Sequence, residues 1–246
     1  MSGIDKIIHD EPALWINEQI GGLPDRAKFR ALNALRSLKW ANDIFDAGMP
    51  IPACYCALHA TEEAVAAFIS CAKVCGYGDN AKINIKDHAA KATVSLLAQK
   101  VTTILLPYQL AFRVNSEAGT LVARYVVEGE TYCNEASMKL FHFRDNQEYM
   151  LSDFCDELIG MFGNVDKLKA AVKKGQEARN TIFYATRTGY PTGFVEAEKE
   201  LIRGSKLSLG LIWAALDMKK NEGELIPFIE QALKTANIVI AELKNK

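Results

Sequence analysis

The sequence predicts a mainly α-helical protein, an antiparallel helical bundle with a small β insertion near residues 107–146. Three observations support this fold class. Apolar residues recur at helical spacing along most of the chain. Short loops with glycine and proline separate these stretches, which favours antiparallel neighbours. Within 107–146, β-branched and aromatic residues replace the helical pattern. We therefore expect residues 1–246 to form a single helical domain.

The composition is that of an ordinary globular chain. Its 246 residues are 49% hydrophobic and 24% charged, which is sufficient for a sizeable core. A net charge of −1 gives no overall electrostatic reason to bind nucleic acid or membrane, although a local basic patch stays open. The N-terminus lacks the apolar segment of a signal peptide, and no run of about 18 apolar residues occurs. We expect a cytoplasmic protein with no membrane partner.

The first half of the chain contains four predicted helices. Asp10 is a candidate N-cap before Pro12, and two glycines end that first helix. The predicted spans are 11–20, 26–47, 52–76 and 84–106.

The central predicted helix, residues 52–76, is apolar on nearly all sides, which is typical of a buried helix. Glu62 and Glu63 interrupt it. A buried carboxylate without a partner costs several kcal/mol or stays protonated. The sequence therefore predicts that other parts of the chain supply partners for these two acids.

The second half begins with the β insertion. The segments QLAFRV and TLVARYVVEG are predicted strands joined by a turn at residues 116–119, and MKLFHFR is a candidate third strand. Their alternation is imperfect, so an irregular helical structure stays open as an alternative. Asn164 is a candidate N-cap. The predicted helices that follow span residues 149–161, 165–187, 194–220 and 223–244.

Two interpretations of the polar centre are open. His59 lies one turn before Glu62 and Glu63, and the next predicted helix brings His88 and Lys91. These side chains could hold a metal inside the bundle, but a di-iron bundle needs Glu-x-x-His motifs, and none occurs. We favour a buried salt-bridge network between Glu62 or Glu63 and Lys91, His88 or an arginine. We expect no metal and no cofactor.

Two other features concern the segment from residue 167 to residue 184. Arg179, Asn180 and Tyr184 lie at the C-terminal part of a predicted helix, where they could face one site; the alternative is an exposed arginine and a core tyrosine. Lysines at 167, 169, 173 and 174 precede them. A solvated helix face explains this basic run better than an RNA-contacting patch.

The six cysteines include no CxxC pair, so we interpret them as reduced core residues.

Three segments resemble AbiV-type abortive-infection proteins, which are similar to the broad HEPN group of all-α domains. ACYCALHATEEAVAAFISCA resembles their second helix with its Glu-Glu element. KDHAAK resembles their His-x-x-Lys segment, and EARNTIFYATRTGYP resembles their closing arginine-containing helix. The resemblance implies a HEPN-like core over residues 26–193, interrupted by the insertion at 107–146 and followed by a C-terminal helical pair at 194–246.

The resemblance also implies a function. HEPN domains usually dimerise, and many are metal-independent ribonucleases with an arginine, a polar residue and, a few positions later, a histidine. Arg179 matches the arginine and Asn180 the polar residue, but Tyr184 stands where the histidine is expected. Tyrosine has a pKa near 10 and is a poor general base at neutral pH, which argues against catalysis. The resemblance thus implies a homodimeric RNA- or nucleotide-binding protein, related to phage-defence or toxin-like systems. Arg179, Asn180 and Tyr184 would meet the ligand, and Glu62, Glu63, His88 and Lys91 would form the polar centre.

Overall fold

A computed structural model describes residues 3–140, 144–145, 148–149, 153–183 and 196–244. Most of them are helical, with a small antiparallel sheet inserted in the middle, and this confirms the predicted fold class. In chain order the elements are α1 (Gly3–Ile8), α2 (Glu11–Gln19), α3 (Asp25–Asp46), α4 (Pro50–Val74), α5 (His88–Leu105), β1 (Ala111–Asn115), β2 (Thr120–Val127), β3 (Glu130–Glu135), β4 (Arg144–Asp145), β5 (Glu148–Tyr149), α6 (Asp153–Gly160), α7 (Val165–Phe183), α8 (Ala197–Lys220) and α9 (Pro227–Lys244).

Helix α4 lies at the centre, packed between α3 and α8 and also contacting α5 and α7. Its buried positions are mostly alanine, so neighbouring backbones approach closely. Gly204 of α8 shows this: a Cβ atom added there would lie 3.6 Å from the Cβ of Ala57. One turn further along the contact, the hydroxyls of Thr61 and Ser208 lie 3.3 Å apart. No described helix is both long enough and apolar enough to cross a membrane.

The sheet confirms two of the three predicted strands. Strand β2 pairs with β1 on one side and with β3 on the other. The expectation of a strand at MKLFHFR was wrong for its first part, because residues 138–140 form a 3₁₀ turn. Residues 141–143 lie outside the described part of the chain, and Arg144 begins the two-residue strand β4.

The third strand is instead β3, which follows β2 through a tight turn at Glu128 and Gly129. Both turn residues have positive φ angles, +51° and +86°, as a two-residue hairpin of this kind requires. Every residue of β3 is exposed. The strand therefore lacks the apolar alternation by which a half-buried strand can be recognised in a sequence.

The two predicted N-caps are confirmed, but some helices begin later than predicted. Asp10 accepts a hydrogen bond from the Ala13 N–H, and Asn164 accepts one from the Lys167 N–H, as expected of N-caps. Helix α5 begins at residue 88 rather than 84, because the Asp87 carboxylate accepts from the first amides of the helix. Tyr149 lies in strand β5 rather than in a helix, residues 150–152 lie outside the described part of the chain, and α6 is described from Asp153. Helix α9 begins at residue 227 rather than 223.

Candidate functional site

Glu62 is the centre of a polar cluster where α4, α5 and α7 meet. Its Oε2 atom accepts from Lys91 Nζ at 2.6 Å, and its Oε1 atom accepts from Arg179 Nε at 2.8 Å. His88 Nδ1 lies 3.1 Å from Oε2 and 3.2 Å from Oε1. The expected salt-bridge network around Glu62 is therefore confirmed, with Lys91, His88 and an arginine all present.

The cluster is graded from buried to exposed. Lys91 is nearly inaccessible, with 9% of its side chain exposed, and Glu62 and Arg179 each expose 17%. His88 exposes 53% of its side chain, and Asn180 next to Arg179 is exposed. A ligand from solvent would thus meet His88 and Asn180 first, with Arg179 behind them.

The cations keep Glu62 ionised. Burial acts to raise the pKa of Glu62, but the hydrogen bonds and charges of Lys91 and Arg179 outweigh it, and the net pKa is lowered from its ordinary value of 4.5. In return, the carboxylate compensates the desolvated ammonium of Lys91. An ion pair this deep is favourable only while both partners are present.

Glu62 also fixes how His88 presents its ring. The carboxylate can only accept, so the proton that bonds to it must be on Nδ1 of the imidazole. In the neutral ring this leaves Nε2 as an unprotonated acceptor on a half-exposed side chain. Arg179 Nη2 lies 3.4 Å from His88 Nδ1, so the guanidinium and the imidazole form one surface. A carboxylate that orients a histidine in this way is the arrangement used in general-base catalysis.

Glu63 belongs to a separate cluster on the side of α4 that faces α3. It accepts from Arg30 Nη1 at 3.2 Å and from Asn33 Nδ2 at 3.3 Å. Asn33 also lies 3.3 Å from His59 Nε2 and accepts from Arg36 at 2.6 Å. Glu63 therefore does not join His88 and Lys91, as we had expected. Adjacent residues on a helix point about 100° apart, so Glu62 and Glu63 face different neighbours.

We did not predict Arg30, Asn33 and Arg36 as partners. A signal was present, since these three polar residues recur at intervals of three on a helix whose other face is apolar.

The structure describes some of the remaining predicted site residues but not all of them. Asn180 lies beside Arg179, with its Oδ1 atom 3.5 Å from Nη1. Tyr184 lies outside the described residues. In the basic run of α7, Lys169 pairs with Glu242 at 3.0 Å, and Lys173 and Lys174 are exposed.

Among the described residues, no group of three or more histidine, cysteine and acidic side chains is placed to hold a metal ion. The two histidines near the acids, His59 and His88, lie in the two different clusters and face different partners.

The fold and this site define a helical bundle with an ionised carboxylate at its centre and a histidine–arginine surface above it. Comparisons with protein-family models, with curated proteins and with solved structures find no match to this chain. We therefore infer the function from the site itself and from the resemblance of the short segments.

Proposed function

We propose that this protein is a HEPN-like, AbiV-like RNA-binding protein of a phage-defence or toxin-like system, and that its ligand site is the His88–Arg179–Asn180 surface. The observation that supports this most directly is the 3.4 Å approach of Arg179 Nη2 to His88 Nδ1 above Glu62. A guanidinium suits the bidentate recognition of phosphate oxygens, and an adjacent imidazole suits proton transfer.

The same surface suggests how cleavage without a metal would occur. Tyr184 replaces the histidine that the resemblance implies, but His88 reaches Arg179 from α5 instead. In this proposal His88 Nε2 takes the proton of a ribose 2′-hydroxyl, whose oxygen attacks the neighbouring phosphorus. The P–O5′ bond breaks, the leaving oxygen takes a proton from water, and a 2′,3′-cyclic phosphate forms. Arg179 stabilises the charge that develops on the phosphate oxygens.

The test uses a fluorescent single-stranded RNA with excess EDTA present, so that metal-dependent contaminants are inactive. We expect cleavage to products with 2′,3′-cyclic phosphate and 5′-hydroxyl ends. His88→Ala should lower the rate at least a hundredfold while RNA binding changes little, because a positioned general base contributes 10²–10⁴-fold. Arg179→Ala should weaken both binding and cleavage.

His9→Ala is the matched control, because His9 is an exposed histidine near the N-terminus that bonds to Asp5 and belongs to neither polar cluster. If His9→Ala and His88→Ala cleave equally well, His88 is not the base. If Arg179→Ala binds and cleaves RNA as well as the wild type does, the site assignment is wrong.

A second candidate function is a non-enzymatic interaction or dimerisation module in which the network only holds the bundle together. The burial of Lys91 and its 2.6 Å contact with Glu62 favour this role. Under it, Glu62→Gln lowers stability but changes neither RNA binding nor RNA cleavage. Under the first proposal, Glu62→Gln also lowers the cleavage rate, because His88 loses the carboxylate that sets its tautomer.

Sedimentation of the purified protein tests the homodimer that the resemblance implies.

A further inference from the structure

A second site lies apart from the polar cluster. A cavity of about 600 Å³ opens between α2, α5, α8, α9 and the first two strands of the sheet. Small-molecule sites in proteins are typically about 300–1,000 Å³. None of the residues of the Glu62 cluster lines it.

The interior of this cavity is apolar. Its walls include buried side chains such as Ile16, Phe68, Leu97, Trp213 and Leu233. A polar ligand placed there would lose its hydrogen bonds to water and gain none. An aliphatic chain would lose only its contact with water, which is favourable by about 0.8 kcal/mol per methylene.

The polar lining residues are exposed and stand at the mouth: Asp10, Thr102, Gln109 and Lys206. Lys206 is the one cation among the described residues that line the cavity, and no ion pair within the described part of the chain holds it. The Asp10 carboxylate is engaged in capping α2. The mouth therefore carries an exposed cation, Lys206, that can pair with an anionic head group, and a carboxylate, Asp10, that already caps α2.

Gly210 is an exposed glycine of α8 at the edge of the cavity. It lies in the middle of α8, where glycine is less favourable than alanine by about 1 kcal/mol. It lines the cavity, and a Cβ atom built on it would meet no atom within 4 Å. We expect a large side chain at this position to reach into the cavity.

We propose that this cavity binds a long-chain aliphatic carboxylate, with the chain in the apolar interior and the carboxylate beside Lys206. The chain alone accounts for most of the affinity, and the lysine selects the anionic end. This site and the RNA surface are separate, so either proposal can fail without the other.

The test is isothermal titration calorimetry of the full chain with octanoate, decanoate and dodecanoate below their micelle concentrations. We expect affinity to rise about fourfold per methylene until the cavity is full. Gly210→Phe should weaken dodecanoate binding at least tenfold, while Gly210→Ala stays within about threefold of the wild type. Gly175→Phe is the matched control, because Gly175 is also exposed and helical with open space around it. Its thermal unfolding and that of Gly210→Phe should match the wild type.

Lys206→Gln separates the head group from the chain. It should weaken dodecanoate about two- to fivefold, as an exposed charge pair does, and leave dodecanol binding unchanged. Equal losses for the acid and the alcohol would overturn the role of Lys206. Affinity that does not depend on chain length, or tight dodecanoate binding by a folded Gly210→Phe variant, would overturn the site. Binding to phosphatidylglycerol vesicles without binding of free dodecanoate would overturn the free acid as the ligand and identify a membrane-held acyl chain instead.

Discussion

Replacing Glu62 by glutamine removes the charge at the centre of the polar cluster and changes little else in shape. Lys91 and Arg179 then lose their carboxylate partner, and one of them faces an amide N–H₂ instead of an acceptor oxygen. Lys91 has 9% of its side chain exposed, so its ammonium group would stay largely out of contact with water. The variant thus tests whether an uncompensated cation at this depth is costly.

The expected cost follows from the burial of the pair. Removing one partner of a buried ion pair typically destabilises a protein by about 3–5 kcal/mol. The partly exposed His88 and Arg179 place Glu62→Gln near the lower end, about 3 kcal/mol. For a chain of this size, about 1 kcal/mol corresponds to about 2–4 °C in Tm, so the midpoint should fall by about 6–12 °C.

The assay is thermal unfolding at pH 7, followed by far-UV circular dichroism. Glu242→Gln is the control, because Glu242 pairs with Lys169 at 3.0 Å with 46% of its side chain exposed. Such a surface pair is worth about 0–1 kcal/mol. Lys91→Met in the Glu62→Gln background should recover part of the loss, since it removes the uncompensated charge. A Tm for Glu62→Gln within 2 °C of the wild type, or strict additivity with Lys91→Met, would refute the account.

The pH dependence has a defined sign. The pKa of Glu62 is lowered below 4.5 in the folded state, so its stabilisation is fully present above pH 4.5 and is lost as pH falls through the lowered pKa. The stability difference between the wild type and Glu62→Gln should therefore shrink below pH 4.5. A difference that stays constant between pH 6 and pH 3 would contradict this.

Two further predictions concern buried hydrogen bonds. Tyr77→Phe should cost about 1–3 kcal/mol, because the buried Ile226 N–H donates to the Tyr77 hydroxyl at 3.0 Å and would lose its acceptor; Tyr132→Phe, at an exposed tyrosine, should change Tm little. Burial raises the pKa of Asp217 above 3.8, so wild-type stability should fall, relative to Asp217→Asn, as pH rises through the raised pKa. Chemical denaturation from pH 3 to pH 8 measures this, and a relative stability that rises with pH would contradict it.

The helical elements were predictable because their apolar periodicity reports directly on burial. The central position of α4 followed from the same logic, since a helix apolar on all sides has to be surrounded. The partners of Glu62 were also predictable as a set, because few charged residues fall on the inner faces of the neighbouring helices. The separation of Glu63 from Glu62 was not predicted, because it depends on how α3 and α5 are rotated about α4.

Other features left too little signal in the sequence. Strand β3 is exposed on both faces, so burial does not shape its residue pattern. The start of α5 depends on whether Asp87 caps the helix or continues it, and both are locally acceptable. The apolar cavity depends on the distance between helices, whereas a sequence pattern reveals only which faces are apolar. Nothing in the sequence distinguishes Gly210, which faces open space, from Gly204, which packs against Ala57.

The small residues where α4 meets α8 constrain how this protein can change over generations. A Cβ atom at Gly204 would just touch Ala57 and Thr61, at 3.6 Å from each, so alanine fits there but a larger side chain would push the two helices apart. A larger side chain on one helix would require a smaller side chain on the other, and alanine and glycine can hardly be replaced by anything smaller. Drift at this contact is therefore confined to exchanges among the smallest residues, while the exposed strand β3 can vary freely. Distant relatives of this chain would thus be recognised best by the spacing of small residues on α4 and α8.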